Sequence, residues 1–253
     1  MLYSGLTSVT FRNMSATEVI NIAKEGKLDA IEWGGDIHAP PSDLDNAGKL
    51  GKMTREAGLA VSSYGSYWRG DDIESFKTVL QCAVALGAPM IRVWAGSVGA
   101  DNIDKNAYEL LINNLSEAAK MAESENICVA VEYHSDTLTD SLESTIKLLE
   151  KTRKSGLMTY WQPPVGSCLE DNLTAIRALS SRLANIHVFS WDKYERLRLI
   201  EYEHMWYTYT LELTRLGNDR YMLLEFVKDD DPKQFISDSR VLKRLIDEAK
   251  RGV

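Results

Sequence analysis

Four residues that can bind a metal ion follow one another along the second half of the chain, each at the end of a short apolar run. They are Glu132, Gln162, His187 and Glu225. Two carboxylates, an imidazole and an amide oxygen form a ligand set that suits Mn²⁺, Mg²⁺, Co²⁺ or Zn²⁺ and leaves positions for substrate oxygens. Any one of these residues alone is more often an ion pair or a hydrogen-bonded core residue. Four on consecutive runs favour one shared site.

Further polar and aromatic residues near the ends of other runs are candidates for binding a substrate. They are Glu32, Trp33, His38, Arg92, Trp94 and His134. Side chains alternate along a strand, so Glu132 and His134 are expected on one face. Arg92 suits a phosphate or a carboxylate, with a pair to a nearby glutamate as the alternative. The tryptophan rings suit the C–H faces of a carbohydrate, with loop packing as the alternative.

The elements that must position these residues alternate in type from end to end. Apolar, β-rich runs begin near Leu2, Ala30, Ala60, Met90, Cys128, Leu157, Leu183 and Arg220. The spacing of about thirty residues suits one strand, one helix and their loops. Amphipathic stretches at 73–86, 106–122, 142–152 and 232–249 predict four of the helices. Eight such units predict an α/β fold, a single (β/α)8 TIM barrel domain over residues 1–253.

An open, doubly wound sheet is the alternative architecture. It lacks support, because Thr7-Ser-Val-Thr-Phe-Arg12 stands where a Gly-x-Gly-x-x-Gly turn would follow the first strand. In a TIM barrel, chemistry takes place at the C-terminal ends of the strands. The candidate residues follow the apolar runs and are therefore predicted to meet at that rim.

The composition narrows the classes of partner. A net charge of −8 over 253 residues, without a basic patch, disfavours nucleic-acid binding. Three cysteines without a CxxC pair are expected to be reduced. No targeting segment and no run of about 20 apolar residues is evident, so we expect a cytoplasmic protein without a membrane partner. The expected partner is a small carbohydrate, and the expected oligomer is a homodimer or homotetramer.

Taken in order, these residues resemble the xylose isomerase-like TIM barrel superfamily. The resemblance is carried by Ile31-Glu32-Trp33, Glu132-Tyr-His134, Ile186-His187-Val188 and Leu224-Glu225-Phe226, and it spans nearly the whole chain. That superfamily includes sugar-phosphate isomerases and epimerases, ketose 3-epimerases, inosose dehydratases and AP endonucleases. It implies that Glu132, His187 and Glu225 bind a divalent metal ion. It also implies that Glu132 and Glu225 move the proton and that His134, Glu32 and Trp33 contact substrate.

The chain departs from the superfamily at Gln162. Most members have aspartate there, commonly with a histidine three residues later, whereas this chain has Gln162-Pro-Pro-Val165. An amide oxygen can ligate but brings no charge, so we expect weaker metal binding. The resemblance implies an isomerase or epimerase of a sugar, sugar phosphate or keto sugar, acting by proton abstraction next to a carbonyl. The alternatives are a dehydratase using the same site, and a sugar-binding protein that has lost the metal and the catalysis.

Overall fold

Eight parallel strands close into a barrel in the computed structural model, which describes residues 1–253. The strands are β1 (Leu2–Thr7), β2 (Ala30–Gly34), β3 (Ala60–Gly65), β4 (Met90–Val93), β5 (Cys128–Val131), β6 (Met158–Trp161), β7 (Leu183–Val188) and β8 (Arg220–Leu224). Each strand pairs with the next, and β8 closes the barrel by pairing with β1. The predicted TIM barrel is confirmed.

One main helix follows each strand and packs outside the barrel. The helices are α1 (Ala16–Glu25), α2 (Leu44–Glu56), α3 (Ile73–Leu86), α4 (Lys105–Glu123), α5 (Leu142–Lys151), α6 (Leu169–Leu179), α7 (Glu203–Arg215) and α8 (Pro232–Arg251). None of them is both long enough and apolar enough to cross a membrane.

Local signals explain where several of these elements begin and end. Ser15 caps α1 in a capping box with Glu18, which satisfies two backbone donors that the helix start leaves free. Gly87 ends α3 with a φ of 71°, a left-handed conformation that costs glycine little. The strand starts agree with the apolar runs except at β6, whose first residue is Met158, one residue later than expected.

The interior is built in two layers. A large apolar cluster fills the space between strands and helices. A smaller cluster inside the barrel consists of Ala130, Tyr160, Ala184 and Leu223. Because side chains alternate along each strand, the next inward positions after Ala130, Tyr160 and Leu223 are Glu132, Gln162 and Glu225. The smaller apolar cluster therefore fills the barrel below the site, and the polar candidate residues lie directly above it.

Candidate functional site

The four predicted metal ligands come together around one ring nitrogen of His187. Its Nδ1 lies 3.0 Å from the Gln162 Oε1 and 3.5 Å from an oxygen of each of Glu132 and Glu225. The ligand atoms of Glu132, His187 and Glu225 all lie within 4.8 Å of one another, and all three residues are buried. Three oxygens within 3.5 Å of one imidazole nitrogen form a donor set that suits a divalent cation.

The other ring nitrogen of His187 faces Glu32. Nε2 lies 3.3 Å from the Glu32 Oε1, and the other carboxylate oxygen of Glu32 accepts hydrogen bonds from Ser63 at 2.7 Å and Tyr160 at 2.9 Å. A carboxylate that accepts from one ring N–H fixes the tautomer and leaves the opposite nitrogen free to ligate. Glu32 thus positions His187 with Nδ1 toward the site.

Arg92 is buried at the wall of the site and binds two of its glutamates. Its Nε lies 3.2 Å from the Glu32 Oε1, and its Nη1 contacts the Glu132 Oε2. The second oxygen of Glu132 faces His187, so this carboxylate divides its oxygens between the guanidinium and the ligand cluster. With a neutral, metal-bound His187, the ionised glutamates at 32, 132 and 225 would carry three negative charges and Arg92 one positive charge. Two negative charges remain, which balances a divalent ion despite the neutral Gln162.

A glycine makes room for the arginine. A Cβ at Gly65, the last residue of β3, would lie 2.7 Å from the Arg92 Nη2 and 3.1 Å from the Glu32 Oε1. Contacts this short require a shift, and both side chains are held by their ion pairs. The site therefore requires a residue without a side chain at position 65.

The surrounding charges separate the pKa values of the two glutamates. Although burial raises the pKa of the Glu132 carboxyl, Arg92 and His187 outweigh it and lower the pKa to about 2. Burial, together with repulsion from Glu132 and Glu32, raises the pKa of the Glu225 carboxyl in spite of attraction by His187 and Arg92. Glu225 is thus the more basic carboxylate of the pair, whereas Arg92 keeps Glu132 ionised.

Proton binding at His187 should compete with metal binding. Burial lowers the pKa of its imidazole, but Glu225, Glu132 and Glu32 outweigh that effect and raise the pKa to about 10. Because the folded pKa is raised, His187 should stabilise the metal-free fold fully below pH 6.5 and lose that contribution as pH rises through about 10. At pH 8, binding of Mn²⁺ is expected to release about one proton from this ring.

Calorimetry of Mn²⁺ binding in two buffers with different ionisation enthalpies measures that proton release. His204→Gln is the matched control, because His204 is exposed on α7 and should leave the release unchanged. Metal binding without proton release would contradict ligation by an imidazole that is protonated in the metal-free protein.

Above the ligand cluster opens a cavity of about 520 Å³. The predicted Arg92, Trp94, Glu132, His134, Gln162 and Glu225 line it. His134 places its Nδ1 2.6 Å from the Ser135 carbonyl oxygen, and its ring centre lies 4.5 Å from that of Trp94. At the mouth, Arg12 pairs with Asp36 at 2.5 Å and donates to the Tyr67 hydroxyl at 2.8 Å.

Three residues that the sequence suggested as substrate contacts do not line this cavity. Trp33 is fully buried outside this cavity, where its indole N–H donates to Thr54 at 3.0 Å on α2. His38 is buried between the Ser8 hydroxyl and the Met14 carbonyl oxygen, at 3.1 and 2.9 Å. Glu32 is also fully buried and lies behind His187 and Arg92 rather than at the cavity surface. Period-two alternation already separates Trp33 from Glu32, since neighbouring side chains point to opposite faces of β2.

Several residues that line the cavity were not predicted from the sequence. They are Val9, Arg12, Tyr67, Tyr133, Asp140, Phe189, Trp191 and Phe226, together with other loop positions. Phe189 and Phe226 directly follow β7 and Glu225, so their position after a strand end was a usable signal. Phe226 has a φ of 51°, which is unusual for a bulky residue and marks the sharp turn that leaves β8. Arg12 and Tyr67 lie on loops and carry no such signal.

A closed (β/α)8 barrel with a polar cluster after its strands defines a TIM barrel protein with a candidate metal site at the usual rim. A profile of the xylose isomerase-like TIM barrel family matches residues 20–245. The chain belongs to this family, and the resemblance drawn from its motifs is confirmed.

Named relatives divide between two kinds of reaction. A 3-dehydroshikimate dehydratase of Bacillus anthracis is 26% identical, and the match covers 59% of this chain and 57% of that relative. The matched part thus spans little more than half of the relative's length. A crystal structure of a probable 3-DHS dehydratase involved in petrobactin synthesis, from the same organism, has a TM-score of 0.78 at 18% identity, covering 96% of this chain and 99% of that one.

Epimerases share the same fold. An L-ribulose 3-epimerase has a TM-score of 0.77 at 13% identity, with 100% of this chain and 97% of that chain covered. A D-psicose 3-epimerase from Clostridium cellulolyticum H10 has a TM-score of 0.71 at 14% identity, with 98% of each chain covered. At these identities the likeness shows the fold alone.

Proposed function

We propose that this protein is a divalent-metal-dependent dehydratase of a polyhydroxylated keto compound. It removes the proton next to the carbonyl and then expels a β-hydroxyl as water. The observation that carries this proposal is the contact between Arg92 and Glu132, because it leaves Glu225 as the only glutamate of the pair without a guanidinium partner. One free base supports an elimination better than a symmetrical exchange between two glutamates. The dehydratase relative, 26% identical, agrees with this choice.

The residues that would hold the metal are those gathered around His187. They are Glu132, Gln162, His187 and Glu225. A divalent ion bound there would polarise the substrate carbonyl and stabilise the negative charge that develops on its oxygen. Glu32 keeps the Nδ1 of His187 toward this position, and Arg92 keeps Glu132 ionised.

Two residues are proposed to move protons. Glu225, on the β8 side of the cavity, accepts the proton from the carbon next to the carbonyl. His134, on the β5 side, gives the Nε2 proton of its imidazolium form to the departing hydroxyl, which leaves as water and leaves the ring neutral. The Nδ1 of His134 is occupied by the Ser135 carbonyl oxygen, so Nε2 is the nitrogen available for this transfer. The aromatic walls, including Trp94 and Trp191, would cover the C–H faces of the substrate.

Epimerisation is the second candidate. It is favoured by Glu132 and Glu225 both lining the cavity, from the ends of β5 and β8. In this case one glutamate removes the proton and the other returns a proton to the opposite face of the same carbon.

The two candidates are separated by product analysis in D₂O with the Mn²⁺-loaded protein. We would use 3-dehydroshikimate, an inosose, a keto-glucoside, L-ribulose and D-psicose, and follow each by NMR. Loss of one water from 3-dehydroshikimate leaves a dihydroxylated aromatic ring, which is visible by ultraviolet absorbance as well. Deuterium incorporation with inversion and without water loss would replace the dehydratase by the epimerase. Absence of deuterium incorporation and of water loss in the whole panel would contradict both.

His134→Gln tests whether proton donation by His134 is separate from proton removal by Glu225. Without the proton donor, water loss is expected to fall about 10²-fold, at the low end for a general acid, while deuterium exchange at the substrate carbon continues through Glu225. NMR of the same reaction reports both rates. His204→Gln, outside the cavity, should change neither. Equal losses of exchange and elimination would assign proton removal to His134 instead.

A further inference from the structure

A second cavity of about 320 Å³ adjoins the first, and the proposed chemistry does not use it. The two share the wall residues Pro163, Pro164, Val165, Phe189 and Trp191. Pro163 directly follows Gln162, so the shared wall begins one residue from a proposed metal ligand. The side cavity then extends between the loop after β6 and the helix α7.

The lining of this side cavity differs in chemistry from that of the main cavity. No charged side chain lines it, whereas the main cavity has arginines, glutamates and an aspartate in its wall. The indole N–H of Trp206 already donates to the Phe189 carbonyl oxygen at 2.9 Å, and the Tyr209 hydroxyl accepts from Asn172 at 2.7 Å. The Ser167 hydroxyl likewise donates to the Pro164 carbonyl oxygen at 2.6 Å. The apolar part of the lining consists of aromatic rings, prolines, Val165, Leu169 and the Met205 thioether.

We propose that the side cavity is a subsite for an apolar, preferably aromatic, substituent of the substrate. The inference rests on the proposed function for the reacting end and adds the substrate class. The substrate would be a polyhydroxylated keto compound joined to an aryl or alkyl group, as in a keto-glycoside, rather than a free sugar. The hydroxylated part would lie over Glu225 and His187, and the substituent would pass Trp191 into the side cavity. Uncharged aromatic walls release water at little cost and favour such a group.

Cys168 allows the subsite to be tested without knowledge of the sugar. It is exposed, lines the side cavity and caps α6, whereas Cys82 is buried. The full-length, Mn²⁺-loaded protein would be equilibrated with the disulfides of 2-phenylethanethiol, 1-thio-β-D-glucose and cysteamine under mild reducing conditions. Mass spectrometry then gives the fraction of each thiol captured on Cys168, relative to its capture by glutathione. Cys168→Ser identifies the captured position.

The phenylethyl group is expected to be captured at least tenfold more strongly than the glucosyl or aminoethyl group. Met205→Glu places a charge in the side cavity and should abolish that preference. His204→Glu is the matched control, since it makes a similar change at the neighbouring exposed position and should leave the preference intact. Val165→Glu, at a wall residue that is 46% exposed, provides a second test if Met205→Glu fails to fold.

Equal capture of all three thiols would overturn the proposal. A preference for phenylethyl that survives both Met205→Glu and Val165→Glu would also overturn it, because the ring would then lie elsewhere. Mn²⁺ binding is measured separately by calorimetry on the captured and free proteins. Failure of the free protein to bind Mn²⁺ would contradict the proposed function, while the capture preference would still decide the chemistry of the subsite.

Discussion

Glu225→Gln is expected to lower turnover by about 10² to 10⁴-fold, the range found when a positioned acid or base is removed. The amide keeps the shape of the side chain and an oxygen for a metal ion, but it cannot accept a proton from carbon. It also leaves Glu132 as the only carboxylate among the four proposed ligands, so Mn²⁺ affinity should fall as well. Turnover must therefore be measured at saturating Mn²⁺, with the occupancy checked by calorimetry.

The matched control for that variant is Glu212→Gln on α7. Glu212 pairs with Arg177 at 2.8 Å on the outside of the barrel, and its removal should leave turnover unchanged. Wild-type turnover in Glu225→Gln at full Mn²⁺ occupancy would disprove the role of Glu225 as the base. A loss of turnover that is fully restored by extra Mn²⁺ would restrict Glu225 to metal binding.

Arg92→Met is expected to lower the free energy of unfolding by about 3–5 kcal/mol at pH 7, because it removes the guanidinium from the buried Glu32 and Glu132 and leaves His187 as their remaining cationic partner. Both carboxylates are almost inaccessible to water in the fold. The loss of unfolding free energy should become smaller as pH falls, because Glu32 and Glu132 without Arg92 then take up protons instead of remaining charged. Urea unfolding of the chelator-treated protein at several pH values measures both effects.

Two comparisons make the stability result specific. Arg177→Met removes an exposed ion pair and should change stability little. Adding Glu132→Gln to Arg92→Met should recover part of the loss, because one of the two carboxylates that lost Arg92 is then replaced by a neutral amide. Wild-type stability in Arg92→Met would show that the buried pairs do not hold the site together.

The architecture was predictable because its signals are local. Alternation of apolar runs and amphipathic stretches depends on nearby residues, and Gly87 and the capping box at Ser15 mark helix boundaries within one turn. The convergence of Glu132, His187 and Glu225 was also predictable, because the parallel strands of a closed barrel all end at one rim. The one-residue difference at β6 reflects pairing, which begins at Met158, whereas Leu157 is buried but unpaired.

The contacts that tune the site were not predictable, because they join residues far apart in the chain. Arg92 on β4 contacts Glu132 after the adjacent β5 and Glu32 on β2. From the sequence, its partner was either a substrate anion or a glutamate. His38 follows β2 as a pocket residue would, yet the loop turns its ring toward Ser8. Neither outcome has a signature within a few residues, so only the closed structure distinguishes the alternatives.

Gly65 has a consequence for how this protein can vary. Its missing side chain accommodates the guanidinium of Arg92, and an added methyl group would lie 2.7 Å from a nitrogen of that group. A saturation library at this position should therefore recover almost no functional members, although Gly65 itself does not line the cavity. A side chain at position 65 would be tolerated only when position 92 carries a residue smaller than arginine. Substitutions at positions 65 and 92 would then be tolerated only in combination, so related sequences are expected to differ at both positions together.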